Sequence, residues 1–250
     1  MGAGDRVNEV EVWWARVDQA RPEFIADLNA VERERYARYL READKARFLL
    51  GVTMVRRLLG ARMSLPPAIV VLDRACRDCG KPHGKVRAEG VELSVTHSGE
   101  WVGVAIGTAP VGLDVERIDA AQDVDGVARM SLAPEEQLVL RGFEGGEKAR
   151  AFTRYWTRKE ALLKATGDGI AAGLWTVVVS GPDEPAAVVR WEGRDGPAHL
   201  VDVRVGEASA GADHPLDVQV GGPAADADHL AALAVLSAEP PVVRVDQFRV

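Results

Sequence analysis

The sequence predicts an α/β (α+β) protein built from two similar halves. Three observations carry this reading. β-Branched and aromatic runs alternate with amphipathic stretches of helical period. The order is strands, helix pair, strands, helix pair, strands. The rhythm starts afresh near residues 108–112, although no sequence repeat accompanies it. With 250 residues, 47% of them apolar, the chain can fill one large domain or two small ones sharing a sheet.

Residues 10–17 (VEVWWARV) form the first strand candidate. Residues 31–62 are helical, with Asp44 capping a second helix whose stripe is Leu49, Val52, Val55 and Leu59. Pro66-Pro67 ends that region, residues 68–73 (AIVVLD) follow as a short buried strand, and 74–90 are turn-rich. The runs 91–97, 101–107 and 111–116, punctuated by Ser98-Gly99 and Ala109-Pro110, predict an antiparallel meander. A helix starts near Pro134, where Glu135 and Glu136 suit the first turn. Another runs from about Glu147 to Thr166 and stops at Gly167. Strands return at 174–180, 187–191 and 199–205. Residues 206–228 are an irregular Gly/Ala/Asp-rich excursion, and 229–237 fit a strand or a helix equally well.

The net charge of −7 argues against non-specific nucleic-acid binding. Residues 31–62 nevertheless hold nine Arg and Lys against four acids, a local basic surface suited to one small anion or else a solvated helix face. No apolar run approaches ~20 residues, which predicts no membrane span. The opening MGAGDRVNEVEVWW lacks a signal-peptide core, so a cytoplasmic protein is expected. For Cys76-Arg77-Asp78-Cys79 three readings stand: a turn with unlinked thiols, a metal site and a redox pair. A second ligand pair for zinc is missing, and Gly80, Pro82 and Gly84 break the helix a thioredoxin-like motif needs, which favours the turn.

Three segments can carry chemistry. In Gly112-Leu113-Asp114-Val115-Glu116, strand alternation puts both carboxylates on one face. They repel unless a cation lies between them, and an all-oxygen set favours Mg²⁺ or Mn²⁺; a solvated strand face is the plain alternative. On the later helix, Phe152, Trp156, Glu160 and Lys164 form one row flanked by Lys159. An i,i+4 Glu–Lys pair is common and worth only about 0.2–0.5 kcal/mol. The aromatic row, however, implies burial, and a buried glutamate needs a partner. Ser94-Val95-Thr96-His97-Ser98-Gly99 is not a hydrolase elbow, but its hydroxyls, imidazole and turn backbone can hold a phosphate. Gly167-Asp168-Gly169-Ile170-Ala171-Ala172 fits a dinucleotide fingerprint, yet it follows a helix rather than a strand and is set aside.

The T-H-S turn, then G-L-D-V-E, then F-x-x-x-W-x-x-K-E-A-x-x-K-x-x-G-x-G, in this order, resembles the 4′-phosphopantetheinyl transferases, in particular the broad-specificity type that activates peptide and polyketide synthases. Gly80-Lys81-Pro82 fits a further motif of that family, and the resemblance spans roughly residues 31–175.

The resemblance implies two α/β halves in a pseudo-two-fold arrangement with the active site between them: 1–108 as the coenzyme A-binding side, and 109–250 carrying the metal ligands and catalytic helix. It implies Mg²⁺-dependent transfer of the 4′-phosphopantetheine arm of coenzyme A to a serine of a carrier protein, releasing 3′,5′-ADP. Asp114, Glu116 and Glu160 would bind the metal, with Mn²⁺ as an alternative. Lys159 and Lys164 would contact the pyrophosphate. Thr96 and His97 would lie by the phosphates, Lys81 and Pro82 by the nucleotide, and Arg35 at the 3′-phosphate. Asp114, Glu160 and Lys164 form the catalytic set, with Glu160 as candidate base, directly or through a water. A second basic position of the family falls on Glu32, a departure that Arg33 or Arg38 would have to make good.

Expected partners are carrier domains of polyketide, fatty-acid or non-ribosomal peptide synthases, met by Arg129, Arg141, Lys148, Arg150 and Arg154. A monomer is expected, because one chain holds both halves. Two other readings use the same residues: an Mg²⁺-dependent phosphate-ester hydrolase, and a non-catalytic module that holds coenzyme A.

Overall fold

The computed structural model describes residues 8–76, 79–82, 84–169, 173–206 and 228–249. Strand β1 (Glu9–Arg16) opens the chain. Helices α1 (Ala30–Arg38) and α2 (Glu42–Met63) follow, then β2 (Glu92–Ser98), β3 (Trp101–Gly107) and β4 (Val111–Arg117). The second half adds α3 (Val124–Ser131), α4 (Pro134–Leu140) and α5 (Gly145–Thr166). It closes with β5 (Val177–Val179), β6 (Val188–Trp191), β7 (His199–Val203), β8 (His229–Val235) and β9 (Val242–Gln247).

Two sheets carry the fold, ordered β2-β3-β1-β9 and β4-β8-β7, with β5-β6 as a separate hairpin. Each main sheet is backed by one helix of 22 residues, α2 on the first and α5 on the second. Between the sheets, Val10, Val12 and Trp14 of β1 pack with Leu113 and Val115 of β4 and Leu233 of β8. The outcome is the expected mixed architecture of two similar halves, each a sheet with a long covering helix.

Four expectations need correction. The run 111–116 leaves the meander: β2 and β3 pair antiparallel, but β4 pairs with β8. Residues 68–73 are not a buried strand. They form a 3₁₀ turn, Pro67–Ile69, then irregular backbone with Ile69 and Val71 exposed, and only Asp73 makes a bridge, to Arg87. Asp44 does not cap α2; it lies in the first turn and pairs with Arg47. Finally, a boundary near 108 does not partition the chain's end, because β9 returns to the first half and runs parallel to β1. Within the ambiguous run 229–237, His229–Val235 form the central strand of their sheet, buried on both faces, which is why the apolar run is unbroken. The excursion predicted for 206–228 lies almost wholly outside the described residues.

Candidate active site

The two sheets meet along a seam between their edge strands, β2 and β4. Unpaired edge amides need partners. Here side chains supply them. Ser94, Thr96 and Ser98 alternate on β2 and so share one face. Their hydroxyls accept the N–H groups of Leu113 (2.9 Å), Val115 (3.1 Å) and Arg117 (3.0 Å). A ladder of hydroxyls thus replaces a backbone ladder and holds β4 in register with β2. Gly112, at the start of β4, lets α5 approach the strand backbone: a β-carbon there would overlap the carbonyl oxygen of Ala161.

That approach brings α5 side chains to the seam. Lys164 Nζ donates to Asp114 Oδ1 at 2.5 Å and to the Thr96 hydroxyl at 3.1 Å, while Thr96 donates to Asp114 Oδ1 at 3.3 Å. Asp114 is only 3% exposed, and its other oxygen, Oδ2, is buried without a hydrogen-bond partner among the described residues. Glu160 Oε1 is orphaned in the same way. Glu116 accepts from the Ser98 hydroxyl at 2.7 Å. All three carboxyls are held above their usual range. Burial is the main cause at each, and the negative charge of Asp114 adds to it at Glu116 and Glu160. Glu116 is pushed up to about 7. Asp114, Glu116, Glu160 and Lys164 therefore share one electrostatic neighbourhood, as the sequence predicts. As placed, no group of three or more His, Cys, Asp or Glu among the described residues forms a ready metal cage.

Lys159 does not join them. Its side chain is fully buried, ion-paired with Glu136, and donates to the carbonyls of Leu174 (3.1 Å) and Ser131 (3.3 Å). Glu136 in turn accepts the N–H groups of Ala133 (2.8 Å) and Val179 (3.0 Å). Lys159 thus ties α5 to α4 and to the entry of β5, and its ammonium is committed. Adjacent positions lie roughly 100° apart round a helix, so Lys159 leaves α5 on a different side from Glu160, a distinction the local K-E pair conceals. Thr96 is likewise buried with its hydroxyl engaged, so it shapes the seam from inside.

A cavity of about 690 Å³ opens on the first half, lined by Arg35, Arg38, Phe48, Arg74, Gly80 and Pro82 among others. Arg35 lies over the Phe48 ring, 5.2 Å from its centroid, and Tyr39 packs against the same ring. Arg74 joins this lining although no sequence motif marks it. Its Nε is buried without a partner among the described residues, and burial lowers its guanidinium pKa. Its only sequence signal is a basic residue heading the turn-rich segment before Gly80-Lys81-Pro82.

Glu32 also faces this cavity, but as scaffold. It completes a capping box with Asn29 and accepts from the buried Arg56 at 2.8 Å. Arg56 continues to the carbonyls of Pro67 and Val70. Arg33 turns away to the Ile25 carbonyl, whereas Arg38 reaches the cavity. Lys81 and Pro82 are exposed at the turn, where the Gly80 N–H bonds to the Cys76 carbonyl at 2.9 Å; Cys76 and Cys79 form no disulfide.

Helix α2 links cavity and seam. Phe48 lines the cavity, and the adjacent Arg47 donates to the Gly99 carbonyl at 2.9 Å. His97, near the end of β2, keeps much of its surface in solvent; desolvation of the rest of the ring and the Lys164 ammonium hold its imidazole below the usual value. The arrangement is a cavity of mixed charge, where Arg35, Arg38 and Arg74 stand among Glu32, Glu34 and Asp73, linked through α2 to an acidic seam that holds Lys164. Of the basic residues expected to meet a partner, Arg129 and Arg141 are exposed, whereas Lys148 pairs with Asp125 and Arg154 bonds to the Pro182 carbonyl.

Comparison with known proteins points the same way. Residues 110–218 match the family model of the 4′-phosphopantetheinyl transferase superfamily. The chain is 32% identical over 185 residues to the 4′-phosphopantetheinyl transferase HetI of Nostoc sp. (strain PCC 7120), covering 72% of this chain and 77% of HetI. It is 30% identical to the 4′-phosphopantetheinyl transferase psf-1 of Bacillus pumilus, covering 73% and 74% of the two chains. It is 24% identical to the 4′-phosphopantetheinyl transferase Sfp of Bacillus subtilis, covering 60% and 65%.

Proposed function

We propose, from the premise that the chain belongs to the 4′-phosphopantetheinyl transferase superfamily, that it transfers the 4′-phosphopantetheine arm of coenzyme A to a serine of a carrier protein. The observation that carries this reading is the seam. Asp114, Glu116 and Glu160 share it with Lys164, and it adjoins a cavity bearing Arg35, Arg38 and Arg74.

In this reading the cavity holds the 3′-phosphoadenosine end of coenzyme A. Arg35, already placed over Phe48, and Arg74, with its buried unpaired Nε, supply charge, and His97 stands near the phosphates. Lys81 and Pro82 border the nucleotide. Lys164 turns from Asp114 to the pyrophosphate, so its charge follows the substrate. Lys159 serves the fold instead.

The orphaned oxygens of Asp114 and Glu160, together with the Glu116 carboxylate, form an all-oxygen donor set that fits a hard divalent ion. Mg²⁺, or Mn²⁺ in its place, would be held by these three residues and would supply Lewis-acid neutralisation of the pyrophosphate. Glu160 is the proposed base. Its raised pKa, due first to burial and then to Asp114, moves it toward the range where a carboxylate accepts a proton effectively. The carrier serine oxygen forms a bond to the phosphorus that bears the pantetheine. That phosphorus releases the bridging oxygen with its electron pair as 3′,5′-ADP, and the serine proton passes to Glu160.

The carrier is a domain of a polyketide, fatty-acid or non-ribosomal peptide synthase, and exposed Arg129 and Arg141 are available to meet acidic surface on it. One chain supplies both halves of the cleft, so the enzyme acts as a monomer. No helix among the described residues is long and apolar enough to cross a membrane. The test is intact-mass analysis of purified apo carrier proteins incubated with the protein and coenzyme A, with Mg²⁺ or with excess chelator. A phosphopantetheine mass gain that requires Mg²⁺ is expected. Release of pantetheine phosphate without carrier modification would favour the hydrolase reading instead.

A further inference from the structure

Lys85 lies three residues beyond Pro82, in the segment that borders the nucleotide cavity, yet its ammonium reaches into the second half. Nζ donates to the Ala165 carbonyl at 2.8 Å and to the Val111 carbonyl at 3.1 Å, and lies 3.4 Å from the Glu92 carboxylate. Each of these points has a place in the site. Ala165 sits in the last turn of α5, whose terminal carbonyls lack helical partners and favour a cation. It is also the immediate neighbour of Lys164. Val111 precedes Gly112, where α5 comes closest to β4. Glu92 begins β2, the strand that carries the hydroxyl ladder. The Lys85 stem runs beside Gly167, the left-handed residue that ends α5. One buried-stem lysine thus ties the nucleotide-side turn, both seam strands and the end of the catalytic helix.

We infer that Lys85 is a positioning residue: it fixes the last turn of α5 so that Lys164 is presented to Asp114, and it couples the turn at Gly80–Pro82 to that helix. The role in turnover rests on the transferase reading; the placement of Lys164 does not. With Lys85 removed, the Ala165 and Val111 carbonyls lose a charged donor and the end of α5 is free to shift, taking Lys164 with it. Lys159, anchored separately by Glu136, stays in place.

The experiment compares wild type, Lys85→Met and Lys85→Arg by amine-reactive labelling, reading each lysine by peptide mass spectrometry, alongside turnover with coenzyme A and an apo carrier. Met keeps the stem and removes the charge; Arg restores a cation. In Lys85→Met, Lys164 is expected to label about tenfold faster, the scale of one charge-assisted hydrogen bond, while Lys159 stays protected. KM for coenzyme A rises and kcat falls in the same variant, and Arg recovers most of both. Wild-type labelling of Lys164 in Lys85→Met would overturn the inference. An equal rise at Lys159 would also overturn it, because it would mean general opening of the helix. A wild-type protein that turns over no carrier, with the labelling contrast intact, would instead defeat the transferase reading and leave the positioning role standing.

Discussion

Lys164 Nζ lies 2.5 Å from Asp114 Oδ1, and the Thr96 hydroxyl touches both groups. This lysine is the one cation in direct contact with the acidic seam among the described residues, and it stays partly exposed while its aspartate is buried. Removing it leaves a buried carboxyl that can take up a proton, because burial already raises its pKa, so the fold escapes the full cost of an unpaired charge. Catalysis has no such escape. Lys164→Ala is expected to lower kcat/KM for coenzyme A by roughly a hundredfold or more, while Tm moves by only a few degrees. Steady-state kinetics beside a thermal melt would decide it. Parallel losses would return Lys164 to a purely structural role.

Gly112→Ala tests the seam from the backbone. The new β-carbon would collide with the Ala161 carbonyl oxygen and lie 2.5 Å from the Ala165 nitrogen, both rigid parts of α5. The helix must lift off β4, at about 1–3 kcal/mol or more for such overpacking. Glu160 and Lys164 travel with it. Urea titration should show a lowered midpoint, and residual activity should fall beyond the loss of folded protein. An unchanged midpoint would mean that α5 sits farther from β4 than described.

How much of this was legible in the sequence depends on whether a feature is local. Alternation along β4 and the helical row of α5 bring Asp114, Glu116, Glu160 and Lys164 toward one seam, and each rule acts within one element. The tie from Lys159 to Glu136 is not legible in the same way, because the partner lies 23 residues away on another helix. Nor did sequence adjacency reveal that β4 leaves its hairpin neighbours for β8, 118 residues on from Val111 to His229. The alternation of Ser94, Thr96 and Ser98 is visible in the sequence, but nothing local shows that those hydroxyls face another strand. Only the second sheet shows that those hydroxyls receive the edge amides of β4. Arg74 has only the weak signal of a basic residue before a turn; its orphaned Nε is a tertiary fact.

The cavity yields a contrast between two arginines and an acid. Glu32 stands where the family resemblance suggests a basic residue, and on charge alone Glu32→Lys would raise coenzyme A affinity. The structure forecasts the reverse. Arg56 is 1% exposed and would face a second buried cation, and breaking such a buried pair costs about 3–5 kcal/mol. Glu32→Lys should therefore lower the melting temperature steeply and leave coenzyme A binding no tighter. Arg74→Ala should do the opposite: near-native stability, with KM for coenzyme A raised roughly tenfold, the scale of one charged hydrogen bond. Calorimetric titration of coenzyme A into both variants separates scaffold from ligand contact. A stable Glu32→Lys protein with tighter binding would refute the assignment.

Lys159 and Glu136 do not stand alone, for Tyr155 lies one helical turn before Lys159 and is 1% exposed. Burial, reinforced by the nearby Glu136 carboxylate, pushes the Tyr155 phenol up to about 12. The unfolded chain would release that proton near the ordinary value of about 10. The sign follows from linkage. An acid whose pKa rises on folding keeps its proton in the native state, so its contribution is complete below about pH 10 and is lost as pH climbs toward about 12. At about pH 11 the unfolded state has released a proton that the folded state largely keeps, a difference on the order of 1 kcal/mol. Tyr155→Phe removes the titrating group while preserving the ring in the core around α5. Wild type should therefore lose on the order of 1 kcal/mol relative to Tyr155→Phe between about pH 8 and about pH 11, with other alkaline titrations common to both proteins. Chemical denaturation of the pair across that range measures the difference. Parallel stability curves would show that the phenol titrates near its ordinary value, and that the core beside the Lys159–Glu136 pair admits water.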